Sequence, residues 1–329
     1  MPARRLSTES YLDECERAGR LATPRTRREN ELLRRHLATG RLSMPFEGFF
    51  LRTSALEQLD PTTIYLHLIR AVAHLHPHWT FCSFTAAVLY GLQVPRPLLK
   101  RLHIAVPPNG NRRRLPGIAV CHPVPDNSHT WQLGINVCPI LPTLLSCMCQ
   151  ADFRYGLAIV DSALRWQLVD REELRAYLRE HGRGRHGIAR ARRTVAYADG
   201  RSENGGESIA RGIMIDLGFA LPELQAEIED PLCPGAMKRV DYLWRRDDGK
   251  VIIAELDGMG KYQPQNSRGG GGLDHAVSVL AAERRRESRI NLTGATVVRF
   301  SLAEALDEGY FFRLLSEAGV PLDAMGARS

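Results

Sequence analysis

Three acidic residues stand where a buried sheet would ordinarily hold aliphatic side chains. In KVIIAELDGMGKY, Lys250 to Tyr262, the run Val251 to Leu256 reads as a strand, yet it carries Glu255 and leads directly into Asp257. Side chains alternate along a strand, so residues at i and i+2 point to one face. Asp241 lies on the preceding strand, Arg239 to Trp244, and neighbouring strands run about 4.8 Å apart, close enough for a third acid to come alongside. Burying unpaired carboxylates costs on the order of several kcal/mol, so such groups are paired with a cation or bind a metal. Convergent carboxylates suit Mg²⁺ or Mn²⁺, hard ions that keep water or substrate phosphate in their remaining positions. An ion of this kind polarises a phosphodiester and lowers the pKa of an attacking water, which is nuclease chemistry. The plainer alternative is that Gly258 ends the strand and both acids reach solvent at its rim, paired with nearby arginines.

The elements that must position these acids follow from periodicity and turn signals. A helix is expected over Glu207 to Leu217, then strands over Leu224 to Ile228, Arg239 to Trp244 and Val251 to Leu256, with a turn between the last two. After Gly269 to Gly272 come a helix over Leu273 to Leu292, a strand over Ala295 to Phe300 and a helix over Leu302 to Ala318. This α-β-β-β-α-β order describes an α/β sandwich around a mixed sheet.

The succession SENGGESIAR, LPELQAEI, KRVDYLW, AELDGMGKY and AERRRESRINLTGATVVRF, from Ser202 to Phe300, resembles the endonuclease-like domain found at the C-terminus of many actinobacterial proteins. That domain is similar to the very-short-patch-repair endonucleases and belongs to the PD-(D/E)XK superfamily. The resemblance implies a restriction-endonuclease-like fold and metal-dependent hydrolysis of DNA. It also implies roles: Glu207 matches an acid that helps hold the metal, Asp241 matches the D of the motif, and Glu255 its (D/E). Glu207, Asp241, Glu255 and Asp257 would then gather one or two Mg²⁺ or Mn²⁺ ions. The superfamily lysine falls on Asp257, which cannot supply a cation. Lys261, or an arginine of the ERRRESR segment, is the candidate replacement, and Arg285, Arg286 and Arg289 are candidates for holding phosphates.

Upstream, helical spacing from Ser7 to about Gly40, followed by RLSMPFEGFFLRTS as two short strands about Glu47 and Gly48, gives the outline of a winged helix over residues 1–55. Its arginines Arg25, Arg27, Arg28, Arg34 and Arg35 are the candidate DNA contacts. SFTAAVLYGL, the β-rich runs RLHIAVPP, GIAVCHPV and GINVCPIL, and then CPILPTLLSCMCQ and GLAIVDSALRWQLVDREEL resemble the AbiEi antitoxins of type IV toxin–antitoxin systems. This resemblance implies promoter binding and allows for a cognate toxin. The expected organisation is thus 1–55, an α+β middle region over 56–198, a linker over 199–206, and the nuclease-like domain over 207–329: a multi-domain α/β protein.

Composition bounds the reading without choosing it. The 329 residues are 44% hydrophobic and 25% charged, an ordinary globular balance. A net charge of +7, mostly from clustered arginines, favours a polyanionic partner such as double-stranded DNA. Seven cysteines without a CxxC pair suggest a reduced, cytoplasmic protein, and no apolar run approaches the length of a membrane span. The oligomeric state is left open. His74, His76 and His78 read as a helix end, Cys147 and Cys149 as packing residues, and Trp131, Trp166 and Trp244 as core anchors. Cys121, His122 and His129 match no common zinc spacing. The non-enzymatic alternative is a transcriptional regulator or antitoxin carrying a degenerate nuclease domain.

Overall fold

The computed structural model describes residues 7–108, 117–124, 128–230, 232–233, 235–257 and 294–323. Lys261, Arg285, Arg286, Arg289 and the helix expected over 273–292 lie outside the described residues. The chain is a multi-domain α/β protein that divides into two compact units, 1–163 with 167–196, and 164–166 with 197–329.

The first unit begins with α1 (Thr8–Arg17), α2 (Arg27–Ala38) and the antiparallel hairpin β1 (Leu42–Phe46) and β2 (Phe49–Arg52). Ser7 and Thr26 start the two helices by accepting from Ser10 N and Glu29 N, each at 3.2 Å. Ala22 adds a bridge to the hairpin through reciprocal bonds with Phe50 of 2.9 and 2.8 Å. Tyr11, Leu12, Cys15, Leu33, Leu42 and Phe50 bury themselves as a separate hydrophobic cluster. Two helices and a hairpin therefore share a small core, as the spacing of their apolar residues requires.

Next come the one-turn α3 (Thr53–Leu56), α4 (Pro61–Leu75), β3 (Thr80–Phe81), α5 (Ser83–Leu89), β4 (Leu102–Val106), β5 (Ala119–Pro123), β6 (Thr130–Gln132) and β7 (Ile135–Val137). Four helices follow: α6 (Ile140–Gln150), α7 (Phe153–Arg165), α8 (Arg171–His181) and α9 (Ile188–Tyr197). The strands form one mixed sheet in the order β5-β4-β3-β7-β6. Asp170 caps α8 through a capping box with Glu173, as the sequence predicts. His76, at the end of α4, stacks on Trp79 with ring centroids 3.8 Å apart. Two of the expected core tryptophans are corrected: Trp131 is 61% and Trp166 57% exposed. Trp131 lies on the edge strand β6 and Trp166 in the turn after α7. Trp244 is buried and donates its Nε1–H to Ala220 O at 2.8 Å.

The second unit holds α10 (Gly205–Asp216), β8 (Glu223–Glu229), β9 (Met237–Arg245), β10 (Val251–Asp257), β11 (Thr296–Ser301), α12 (Leu302–Leu306) and α13 (Glu308–Ala318). Its mixed sheet runs β11-β10-β9-β8, with only β10 and β11 parallel. Tyr242 stacks on Phe300 with centroids 6.1 Å apart, and Phe300 meets Phe311 in a tilted contact at 4.7 Å that ties the sheet to α13. The helix expected over Leu302 to Ala318 is two helices, because Asp307 leaves helical geometry and caps α13 by accepting from Tyr310 N at 3.0 Å. Among the described residues no helix is long and apolar enough to cross a membrane.

Tyr65 is a test of the first unit's core. Its fully buried hydroxyl lies 2.7 Å from Thr85 Oγ1 and donates to Arg101 O at 2.7 Å. Tyr65→Phe strands that carbonyl without its donor and should cost about 1–3 kcal/mol in denaturant titration, whereas an unchanged midpoint would show that water replaces the hydroxyl.

Candidate functional site

Each acid singled out in the sequence lies in the second unit, and each is held by an identifiable partner. Glu207 sits in the first turn of α10. Asn204 caps that helix by accepting from Glu207 N at 3.0 Å, while its own amide donates to Glu207 Oε1 at 2.6 Å. Glu203 N donates to the other oxygen at 2.6 Å, and the buried Tyr242 hydroxyl fixes the backbone by donating to Glu207 O at 2.8 Å. The carboxyl is therefore aimed by its own helix start and by strand β9 beneath it.

Asp241, on β9, meets Glu207 through a residue on β8. Gln225 Nε2 donates to Glu207 Oε2 at 3.1 Å and to Asp241 Oδ1 at 3.3 Å. Leu256 N, on β10, donates to Asp241 Oδ2 at 2.8 Å. The pairs Leu224 with Tyr242 and Ala226 with Val240 flank Gln225, so it stands opposite Asp241 in the ladder. Gln225 adopts φ of 51°, left-handed backbone that a side-chain-bearing residue enters at a cost of about 1–3 kcal/mol. Strain of this size persists where the surroundings demand it, and here it falls on the residue joining two acids.

Glu255 and Asp257 are held differently. Glu255 pairs with Arg299 across the parallel strands β10 and β11. Arg299 donates from one terminal nitrogen to Glu255 Oε2 at 2.8 Å and lies 3.6 Å from Asp257 Oδ1 through the other. Glu255 is buried at 7% exposure and Asp257 is exposed. A buried carboxylate thus has its cation inside the sheet, and the exposed acid at the strand end shares it.

Electrostatics separate the two pairs further. Burial, with the negative charge of Asp241 beside it, pushes Glu207 up to about 8, against smaller opposing effects of the Gln225 hydrogen bond and the Arg165 charge. Glu207 is therefore largely protonated at neutral pH.

Among the described residues no three His, Cys, Asp or Glu side chains form a group able to hold a metal ion. The four acids form two bridged pairs, Glu207 with Asp241 and Glu255 with Asp257. The first pair fits a hard divalent ion: it offers two carboxyl groups, of which Glu207 would release its proton to the ion, and the side chain between them has an amide oxygen as well as the nitrogen now turned toward them. Mg²⁺ commonly takes one or two carboxylates and completes its shell with water and phosphate. The second pair fits an ion less well, because Arg299 already neutralises it.

The N-terminal arginines divide in the same way. Arg25 pairs with the buried Glu29 at 2.6 Å and lies 3.9 Å above the Tyr11 ring. Arg27 and Arg34 make ion pairs of 3.3 and 3.2 Å with Glu31 and Glu47, and Arg27 is 94% exposed, so these contacts hold it weakly. Arg28 and Arg35 are exposed on α2. Sequence reasoning missed Gln225, Arg299 and Asn204. For Gln225 and Arg299 the signal was present as a polar residue within an apolar strand, in ELQAEI and TVVRF, the same anomaly that exposed the acids.

No family model matches the chain. It is 46% identical over 89 residues to two uncharacterized proteins of Mycobacterium tuberculosis, from strains CDC 1551 / Oshkosh and H37Rv. The match covers 27% of this chain and 32% of each relative. The chain thus spans about a third of the length of the curated relatives it matches.

The raised Glu207 pKa has a signed consequence. Between the ordinary glutamate value and about 8, the unfolded chain has lost this proton and the folded chain keeps it. This group's contribution to stability therefore falls as pH rises through that window and levels off above it. Denaturant midpoints measured from pH 5 to 9 should fall less steeply in Glu207→Gln than in the wild type; parallel curves would show that Glu207 titrates normally.

Proposed function

We propose that this chain is a DNA-binding protein whose C-terminal unit is a metal-dependent, endonuclease-like domain that hydrolyses DNA phosphodiesters with Mg²⁺ or Mn²⁺. The observation that carries this reading is the single Gln225 amide held between Glu207 and Asp241, at a residue whose backbone is in the left-handed region. Glu207, Asp241 and the Gln225 amide oxygen would hold the ion. When bound, it supplies Lewis-acid polarisation of the phosphodiester and an attacking water of lowered pKa. Arg299 keeps Glu255 and Asp257 in place and supplies, from the adjacent strand, the positive charge that Asp257 cannot. Arg28 and Arg35 on α2, with Arg27, are exposed cations suited to phosphate contacts, which position a protein on duplex DNA without reading its sequence. The setting that fits seven unbridged thiols is the cytoplasm.

One observation favours a second reading. Because Glu255 is neutralised internally by Arg299, the domain also suits a regulator or antitoxin in which a nuclease scaffold survives as a binding platform, with a toxin as possible partner.

Supercoiled plasmid separates the two. Under the first reading the protein nicks it with Mg²⁺, and Asp241→Asn or Glu207→Gln lowers the rate by roughly 10²–10³-fold while DNA retention at moderate salt persists. Metal-independent retention with no nicking over long incubation would sink the enzyme and leave the regulator.

A further inference from the structure

Six of the seven cysteines lie in the first unit, and two that are far apart in sequence are brought together there. Parallel strands β3 and β7 pair Phe81 with Val137 at their last residues, so the first residue past each strand is a cysteine, Cys82 beside Cys138. Cys138 N donates to Phe81 O at 2.8 Å, which locks this register at the strand ends. The two side chains are hydrogen-bonded to each other, and both are thiols. Cα atoms paired across neighbouring strands are about 4.8 Å apart, inside the roughly 4.4–6.8 Å that a disulfide spans.

A cavity of about 290 Å³ opens onto this pair, and Cys149, His122, Arg185 and His186 also line it. Arg185 and His186 reach it because their loop closes tightly on α6. Gly187, at φ of 80°, approaches so near that a Cβ there would lie 2.1 Å from Cys149 O. His122 lies 2.8 Å from His103 Nδ1, and burial pushes the pKa of both rings down, His103 to about 3. Both rings are therefore neutral, and among the described residues lining the cavity the permanent charge is the Arg185 cation. Among the described residues no carboxylate lines it.

We propose that Cys82 and Cys138 are an oxidative modification site, a dithiol that closes to a disulfide by exchange with an anionic low-molecular-weight disulfide entering this cavity. One thiol loses its proton and attacks a sulfur of the small disulfide. A mixed disulfide forms and one small thiolate leaves. The second cysteine, deprotonated in turn, attacks the protein sulfur of that mixed disulfide and expels the second thiolate. The cysteines together lose two electrons and two protons, and the small disulfide is reduced to two thiols. The Arg185 charge at the cavity selects an anionic partner. The hydrogen bond that the Cys82 thiol donates to Cys138, and then burial, hold that thiol well above its ordinary pKa, so exchange is slow at neutral pH and speeds up as pH rises.

The test uses the full chain, with glutathione disulfide as the anionic probe and cystamine as a cationic one, followed by alkylation and peptide mapping. Glutathione disulfide should yield a peptide linking Cys82 to Cys138. Cys82→Ser should leave Cys138 as the mixed disulfide. At low salt the anionic probe should react about 10-fold faster than the cationic one, and the difference should shrink in Arg185→Gln and at high salt. Two results would overturn the site: Cys82 and Cys138 both still alkylated after the exposed Cys233 has been oxidised, or either one linked to Cys121, Cys147 or Cys149. Equal rates with the two probes would overturn the anionic co-reactant.

Discussion

Buried negative charge is the constraint around which the C-terminal unit is arranged. Glu207 and Glu255 are both nearly enclosed by protein, and a carboxylate taken out of water must be neutralised, hydrogen-bonded or protonated. All three solutions are present within this one unit. Arg299 neutralises Glu255 from the parallel neighbour strand. Gln225 and Leu256 N hydrogen-bond Asp241. Glu207 keeps a proton, held up to about 8 by burial and by Asp241. Strand pairing makes these solutions possible, since each partner is placed by its register or by a helix cap.

The two acid pairs therefore differ in kind. The Arg299 pair resembles a structural ion pair: its cation is fixed, and removing Arg299 would leave a buried charge uncompensated. The Gln225 pair is held by an amide, which carries both a donor and an acceptor and can exchange one for the other without losing its place. An arrangement stabilised by an amide and a retained proton is open to a divalent ion in a way that one stabilised by arginine is not. The left-handed backbone at Gln225 fits this distinction, because strain is retained where a side chain must be presented at one point.

Much of this was legible in the sequence, for physical reasons that also mark where legibility stopped. The strands carrying Asp241 and Glu255, the capping of α8 by Asp170 and the glycine turn between β1 and β2 follow from local pattern. The break at Asp307 escaped because a capping aspartate within an otherwise helical run depends on side-chain geometry that periodicity does not report. Trp131 was misread because hydrophobicity alone does not distinguish a central strand from the edge strand β6. The two bridging side chains, Gln225 and Arg299, are far from the acids in sequence and become their neighbours only through ladder register. Cys82 and Cys138 are joined in the same way, by a parallel pairing that no spacing motif announces.

Whether the Glu207–Asp241 pair is a cation site or a closed hydrogen-bonded pair can be read from crystals of the full chain soaked in Mn²⁺, using anomalous scattering to locate the ion. An ion bound by Glu207 and Asp241, with the Gln225 amide turned to present its oxygen and the Arg299–Glu255 contact intact, is the expected result. An anomalous peak at Glu255 and Asp257 with Arg299 displaced, or no ion near Glu207 at saturating Mn²⁺, would contradict it.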